Sequence, residues 1–508
     1  MKKLNIKLIA LFLASVAVVS CDEEFENSVE DGGVYTSGEA DFTKYVTVGN
    51  SLTAGFADGA LYLDGQLNSY PNIIAGQMQL AGGGEFNQPL VNDNTGGLLA
   101  AGVQILPNRF VLASDGMGNA AGPAVYTGAA PTTDITNKVT GPLNNFGVPG
   151  ARVFHLAAPN YGSLAGVSTG TANPYFARFS SSDGATVIGD AAAANGTFFT
   201  LWIGNNDILG YATSGGVGVD NNETGNVNPA TQGNNSITNN NVFGGVYQQL
   251  VAALTANGAK GALVNIPDVT SIPFFTTVPF NAIPLDGATA AFVNQSYAQY
   301  NGAMTAYAQT PLLTQAEADA RIINFTAGPN AIVILDKDLT DLPDPTQPGQ
   351  FLPKLRQATA DDLVVFTAAT ILGTLADPNN PASVIGVGVP AGDNLVLTSN
   401  EQARITAAQT AYNSTIESLA LANDLAYVDA RSALADVAST GVPFNGGVLT
   451  STYATGGGFS LDAVHPTARG YAFTANAIIE AINEKYGSTL PTVNIGAYPT
   501  VQLSDQVQ

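Results

Sequence analysis

The stretch TVGNSLTAGFADG, residues 47–59, places a serine hydroxyl in a turn directly after a run of strand-forming residues. Residues 44–48 combine β-branched and aromatic side chains and end at Gly49, which predicts a short strand. Ser51 follows the carboxyl end of that strand, among residues typical of turns. Because open parallel sheets bind ligands at this end of their strands, Ser51 is a candidate nucleophile.

Similar apolar runs, each bounded by turn residues, recur along the chain at 198–203, 261–266 and 425–428. Continuous apolar runs of this length are typical of strands that are buried on both faces. Amphipathic patterns predict helices at 242–256, 401–423 and 468–485. The second of them has Ser399 and Gln402 spaced as a capping box. The alternation of strands and helices predicts a parallel sheet with helices on both faces.

Three stretches rich in Gly, Asn, Pro and Thr interrupt this alternation, at about 82–143, 207–241 and 325–398. We interpret them as insertions in the loops of one domain, residues 43–490, which is followed by a C-terminal tail, residues 491–508. We expect them to form the walls of a substrate pocket. The Asn-rich part of the second stretch does not fit a calcium loop, because Thr224 stands where a ligand is expected, and we predict a solvated loop without metal.

The N-terminus has the pattern of a secretory signal, residues 1–20, in which lysines precede the apolar run LIALFLASVAVV. Cys21 follows, in a context that resembles the bacterial lipobox. The resemblance implies acylation of Cys21 and a stable membrane anchor, while the alternative is an ordinary signal in which the cysteine has no role. Cys21 is the only cysteine of the chain, so an intramolecular disulfide is excluded.

Acidic residues dominate the segment that follows, residues 21–42, which predicts a flexible tether between membrane and domain. They also resemble the surface-export signals of Bacteroidetes lipoproteins, although a solvated linker requires no such signal. We therefore expect a cell-envelope, outer-membrane lipoprotein that faces either the periplasm or the cell surface. The whole chain has 40 acidic and 17 basic residues and a net charge of −23, which argues against nucleic acid as a partner.

The chain contains two histidines, so the search for a general base is short. His465 lies in DAVHP, three residues after Asp462 and just before the last predicted helix. A turn with this spacing can direct the carboxylate to one ring nitrogen and leave the other facing a cleft. The alternative is a surface aspartate and a helix-leading histidine without a role. His155 has no acidic neighbour within six residues, and we predict a structural role for it.

A second serine, Ser168, lies in a GxSxG pattern at residues 166–170. That motif requires a strained turn between a strand and a helix. The flanking sequences predict neither element, so we interpret Ser168 as a loop residue. The pattern Gly386-Val387-Gly388 leads into Pro390 rather than a helix, and it does not support a dinucleotide site.

Four blocks in order resemble the SGNH, or GDSL-type, esterase and lipase superfamily, over about residues 45–486: GNSLT at 49–53, NFGVPGA at 145–151, IGNND at 203–207 and DAVHP at 462–466. The resemblance implies a flavodoxin-like three-layer α/β/α fold. It implies that Ser51 is the nucleophile, His465 the base and Asp462 the group that orients the base. The implied oxyanion donors are the N–H groups of Ser51 and Gly150 and the side-chain amide of Asn206.

One residue departs from the pattern, since Asn50 stands where the family usually has aspartate. A role that requires a carboxylate there is therefore in doubt. The implied reaction is the hydrolysis of a carboxylic ester, either of a lipid or of an acylated glycan, without metal or cofactor. The alternative is a surface lipoprotein that binds glycan or lipid on the same scaffold without catalysis. The oligomeric state is left open.

Overall fold

The computed structural model describes residues 34–507. The predictions of a signal at residues 1–20, of acylation at Cys21 and of the first part of the tether lie outside the described residues. Within residues 34–507, no helix combines the length and the apolar character that a membrane span requires.

A five-stranded parallel sheet forms the centre of the domain, with the order β2-β1-β3-β4-β5. Its strands are β1 (Tyr45–Gly49), β2 (Asn145–Gly147), β3 (Phe198–Trp202), β4 (Lys260–Val264) and β5 (Ala426–Val428). Four of them confirm the strands predicted from apolar runs. The strand β2 is new, because a run of three residues is too short to produce a pattern. All residues of β1, β2 and β3 are buried, which continuous apolar runs predict for strands covered on both faces.

Two groups of helices pack on this sheet. The helices near the sheet or the candidate site are α1 (Ser51–Ala54), α2 (Tyr70–Gln79), α3 (Val187–Ala193), α4 (Asn206–Thr213), α5 (Asn240–Thr255), α6 (Ser399–Ala422), α7 (Ala430–Ser439) and α8 (Ala468–Tyr486). The helix α5 packs against α3 and α6, and α2 packs against α8. The three predicted helices correspond to α5, α6 and α8.

The start of α6 differs from its prediction by one residue. Thr398, with an extended backbone, is the N-cap, and Glu401 accepts a hydrogen bond from Thr398 N at 2.8 Å. The capping box predicted from Ser399 and Gln402 is therefore wrong, since Ser399 is already helical. Threonine and glutamate form the same reciprocal motif one position earlier.

Further helices and strands lie in the predicted insertions and in the segment before the third insertion. The stretch 82–143 contains strands Leu98–Ala100, Val103–Leu106, Phe110–Ser114 and Ala120–Val125, and Phe110–Ser114 pairs with the C-terminal strand Leu503–Ser504. Helices Gly287–Tyr307 and Gln315–Arg321 precede the stretch 325–398, which contains Gly328–Asn330, Val333–Leu335, Leu355–Gln357, Leu363–Val364 and Val396–Leu397. The stretch 207–241 does not consist of loop alone, because α4 occupies its start.

The end of the predicted tether is packed on the domain. Glu39 N donates to Tyr486 O at 2.8 Å, and Thr489 N donates to Thr36 O at 2.9 Å. Ala40 and Phe42 are buried in the main core. The prediction of a solvated tether up to residue 42 is therefore corrected, because the two apolar side chains pack against the domain despite the acidic residues around them.

Candidate active site

Ser51 is the first residue of α1 and is buried at the carboxyl end of β1. The preceding residue, Asn50, caps this helix, since its Oδ1 accepts a hydrogen bond from Leu52 N at 3.0 Å. Asn50 Nδ2 donates to Asn205 Oδ1 at 3.0 Å. The carboxamide thus connects the loop after β1 with the loop after β3, and in this arrangement position 50 needs a donor as well as an acceptor.

His465 lies between Ser51 and Asp462. Its Nε2 is 2.9 Å from Ser51 Oγ, and its Nδ1 is 2.8 Å from Asp462 Oδ2. An ionised Asp462 favours the tautomer in which Nδ1–H donates to the carboxylate, so Nε2 is free to accept the proton of the serine hydroxyl. The ring of Phe56 covers the imidazole at a centroid distance of 4.7 Å. The three residues predicted as nucleophile, base and orienting acid are therefore in direct contact.

The local chain explains the spacing of aspartate and histidine. Asp462 Oδ1 accepts from Val464 N at 2.9 Å and from His465 N at 2.8 Å, so the carboxylate closes its own turn. Its second oxygen then reaches the imidazole three residues later. Ala463, between them, has a φ of +64°, a strained value for a residue with a Cβ.

Asp462 is held as a carboxylate. Burial favours the neutral acid, but the charge of His465 and the hydrogen bonds outweigh it and lower the pKa of Asp462 to about 2. At neutral pH the group therefore orients the imidazole and stabilises its protonated form without taking up the proton itself.

A turn at residues 57–60, which sequence reasoning missed as part of the site, holds the loop of Asp462. Gly59 N donates to Asp462 Oδ2 at 2.9 Å. Asp58 N donates to Ser460 Oγ, and Asp58 Oδ1 accepts from Leu461 N, both at 2.9 Å. Asp58 and Gly59 have φ values of +52° and +75°. The Asp-Gly pair is a turn signal in the sequence, but its partner lies about 400 residues away and carries no local signal.

The predicted oxyanion donors lie on loops that leave neighbouring strands. Gly150 follows β2, whose Gly147 is opposite Gly49 of β1, and it has a φ of +79°. The N–H groups of Ser51 and Gly150 have no protein acceptor among residues 34–507. Asn206, at the start of α4, donates one Nδ2 hydrogen to Ala151 O at 2.9 Å and keeps the other. These groups supply three N–H donors at the carboxyl edge of the sheet.

A buried ion pair connects two of these loops. Arg152 Nε is 3.9 Å from Asp207 Oδ1, and both side chains are almost completely buried. Arg152 also donates to Gly233 O and Ser236 O, both at 2.7 Å. Arg152 lies two positions after Gly150, and Asp207 directly follows Asn206. The pair thus joins the loops that carry these two donors and helps to set their relative positions. The sequence pattern gave no indication of this pair.

The two alternative candidates lie apart from this arrangement. His155 stacks on Tyr161 at 4.6 Å, and its Nδ1 accepts from Arg152 N at 3.1 Å. Burial and the charge of Arg152 lower the pKa of His155 to about 4, as expected of a packed, neutral ring. Ser168 ends the short helix Leu164–Val167, is exposed, and donates only to Ala165 O, at 3.5 Å. Neither has the contacts of a nucleophile or its base.

Ser51 and His465 line a cleft that is partly open to solvent. Within residues 34–507, no group of three or more His, Cys, Asp or Glu side chains is arranged to hold a metal ion. Comparison of the chain with family models, curated proteins and solved structures gives no significant match.

The buried pair gives a prediction on stability. Burial raises the pKa of Asp207 to about 6, although Arg152 and the hydrogen bonds from Thr238 and Val153 favour the charged form. The unfolded value is about 3.9, so the native state holds the proton more tightly. Asp207 therefore contributes its full stabilisation below pH 4. This contribution, about 3 kcal/mol in the free energy of unfolding, is lost as the pH rises from 4 through 6.

In Asp207→Asn this group is always neutral. We therefore expect the free energy of unfolding of the wild type, relative to the variant, to fall by up to about 3 kcal/mol between pH 4 and pH 7. Urea unfolding at pH 4, 5, 6 and 7 measures it, with the exposed Asp183→Asn as the control. A difference that grows with pH would show that the native state favours the ionised pair, and a constant difference would show that burial and the pair cancel; either result contradicts the prediction.

Proposed function

We propose that the protein is a serine-dependent hydrolase of carboxylic esters, a member of the SGNH (GDSL-type) superfamily. The observation that carries the proposal is the chain of contacts from Ser51 Oγ through His465 to Asp462. The strand order β2-β1-β3-β4-β5 supports it, because this is the order of flavodoxin-like sheets. Helices packed on both faces of such a sheet make the three-layer α/β/α arrangement that we propose for the fold.

The proposed reaction follows the roles of a serine, histidine and aspartate triad. His465 Nε2 takes the hydroxyl proton as Ser51 Oγ attacks the ester carbonyl. The oxyanion is stabilised by the N–H groups of Ser51 and Gly150 and by the free amide hydrogen of Asn206. His465 then gives the proton to the leaving alcohol. Water, activated by the same histidine, releases the acid from the acyl-enzyme.

A fluorophosphonate probe tests this proposal directly, since it phosphonylates only an activated serine. We expect labelling of the wild type and its loss in Ser51→Ala, while Ser168→Ala is labelled normally. A folded wild type that is never labelled would instead indicate a binding protein that uses the scaffold without turnover.

The proposed roles also predict different penalties on an activated ester. Ser51→Ala and His465→Ala are each expected to lower kcat by several orders of magnitude, and the double variant to be little worse than either. Asn206→Ala removes one oxyanion donor and is expected to cost about 10² to 10³ in kcat with KM nearly unchanged. Ser168→Ala is the matched control. If Ser168→Ala abolishes turnover while Ser51→Ala is active, the assignment of the nucleophile is wrong.

We expect Asp58 to act as a positioning residue, because its carboxylate holds Leu461 N beside Asp462. Glycine and asparagine both adopt the left-handed backbone conformation of Asp58. Substituting them therefore tests the loss of the carboxylate without adding backbone strain. Asp58→Gly loses the acceptor and is expected to lower kcat about 10-fold with little change in KM, while Asp58→Asn keeps an acceptor oxygen and most of the activity.

Asp64→Asn is the control for the loss of a negative charge near this turn. Asp64 is exposed and follows Asp58 by six positions in the sequence. The melting temperatures of all three variants are measured in parallel. Equal losses of kcat in Asp58→Gly and Asp58→Asn would refute the role of the hydrogen bond to Leu461.

We also propose that Cys21 is acylated and anchors the protein in the outer membrane. This proposal rests on the sequence pattern at residues 1–21. Cys21→Ser is expected to release the domain from the membrane fraction, because stable anchoring requires two or more acyl chains. Fractionation with an alkaline wash, with the wild type as reference, measures it. Retention of Cys21→Ser in the washed membranes would contradict the anchor.

A further inference from the structure

Two clefts of different character meet at the candidate site. The apolar cleft contains Ser51 and His465, and its walls include Trp202, Val264, Leu434, Phe459, Phe473 and Ile478. The second cleft, called the polar cleft because its lining is more polar, contains Gly150, and its walls include Tyr161, Thr171, Asn173, Thr213 and Asn234. Asn206 and Leu209 line both. The proposed oxyanion amide therefore lies where the two clefts join.

The walls of the apolar cleft come from the core of the domain. Trp202 and Val264 end two central strands, and Ile478 belongs to α8, and all three are buried. Among the described residues that line this cleft, one acidic side chain, Asp268, accompanies His465. Its Oδ1 accepts from Thr270 N and Oγ1. The cleft thus offers a polar ligand few partners, while an alkyl chain gains from leaving water.

The polar cleft has no acidic side chain among the described residues that line it. Arg152 is buried and directs its guanidinium to backbone carbonyls, and His155 is packed as a neutral ring. The remaining polar side chains are uncharged, and they lie between small apolar ones: Tyr161, Thr171, Asn173, Asn206, Thr213 and Asn234. The hydroxyl groups of Thr171 and Thr213 donate to backbone carbonyls, so their oxygens remain as acceptors. Such a surface suits an uncharged, hydroxyl-bearing group rather than an anion or a cation.

We infer that the substrate is an amphiphilic ester, with an apolar alkyl chain in the apolar cleft and an uncharged polar group in the polar cleft. The inference rests on the proposed ester hydrolysis at Ser51. It favours a lipid over an acetylated glycan, because an acetyl group would contact few of the apolar walls. The alkyl chain belongs to either the acid or the alcohol of the ester, and the two arms of the test distinguish these sources.

The first arm measures kcat/KM for glycerol monoesters from acetate to octanoate, and the second for alkyl acetates from ethyl to octyl. Both use monomeric substrate concentrations and titration of the released acid. In one of the two series we expect kcat/KM to rise by up to about fourfold per methylene, the gain from burying a CH₂ group. The series that rises identifies the part of the ester that carries the chain.

A pair of variants on α7 tests the location. Ala433 lines the apolar cleft, while Ala435, on the same helix, is exposed and lies outside it. Ala433→Trp is expected to reduce kcat/KM for the octyl or octanoyl ester at least 10-fold more than it reduces kcat/KM for the shortest ester of the same series. Ala435→Trp is expected to keep the chain-length profile of the wild type.

Failure of this inference differs from failure of the proposed function. If the wild type hydrolyses short esters through Ser51 but neither series gains with chain length, the amphiphilic substrate is wrong and the esterase stands. A rise with chain length that Ala433→Trp and Ala435→Trp both leave unchanged overturns the assignment of the chain to the apolar cleft. If no ester is turned over and Ser51 is not labelled by fluorophosphonate, the proposed function fails and the inference with it.

Discussion

The arrangement of the site depends on the parallel register of β1 with its two neighbours. Gly49 is opposite Gly147 of β2 and Trp202 of β3, so three loops leave the sheet at the same level. A Cβ on Gly49 would clash with Trp202 O and with the side chain of Thr53, and one on Gly147 would clash with Ala54 N. Glycine at both positions lets α1 begin at once and lie against β2. The hydroxyl of Ser51 and the donors at Gly150 and Asn206 are brought together by this close approach.

Three carboxyl groups in and near the site, those of Asp462, Asp207 and Asp58, have pKa values that are shifted in different directions. Asp462 has the imidazole of His465 as a partner and backbone donors on both oxygens, and these outweigh burial, so its pKa falls to about 2. Asp207 is more deeply buried and pairs with Arg152 at 3.9 Å, and burial wins, so its pKa rises to about 6. Burial also raises the pKa of Asp58, next to Asp462. The group that faces the imidazole is thus the one whose hydrogen bonds stabilise the charge most strongly.

Much of this architecture could be predicted because its signals are local. Apolar runs predicted four of the five strands, and the spacing of Asp462 and His465 allowed the turn that joins them, although the same spacing also fitted a pair without a role. What could not be predicted depends on contacts between distant parts of the chain. The turn at Asp58 and the ion pair of Arg152 with Asp207 leave no periodic pattern, because each partner alone resembles an ordinary polar residue. The burial of Phe42 was missed for a similar reason, since the acidic residues around it dominate the local composition.

The walls of the two clefts come from different parts of the chain, and these parts differ in how closely they are tied to the core. We expected these walls to come from the insertions, but the apolar cleft is built mainly from the ends of central strands and from α7 and α8. The stretches 82–143 and 325–398 contribute none of its described lining residues. Side chains such as Trp202 and Val264 are fixed by core packing, so the shape of this cleft is coupled to the stability of the domain. The polar cleft, in contrast, takes Thr213 and Asn234 from the stretch 207–241, where the chain can vary at less cost to the core. In the inferred mode of binding, the alkyl chain thus lies against the packed core of the domain, and the polar group lies partly against the stretch 207–241.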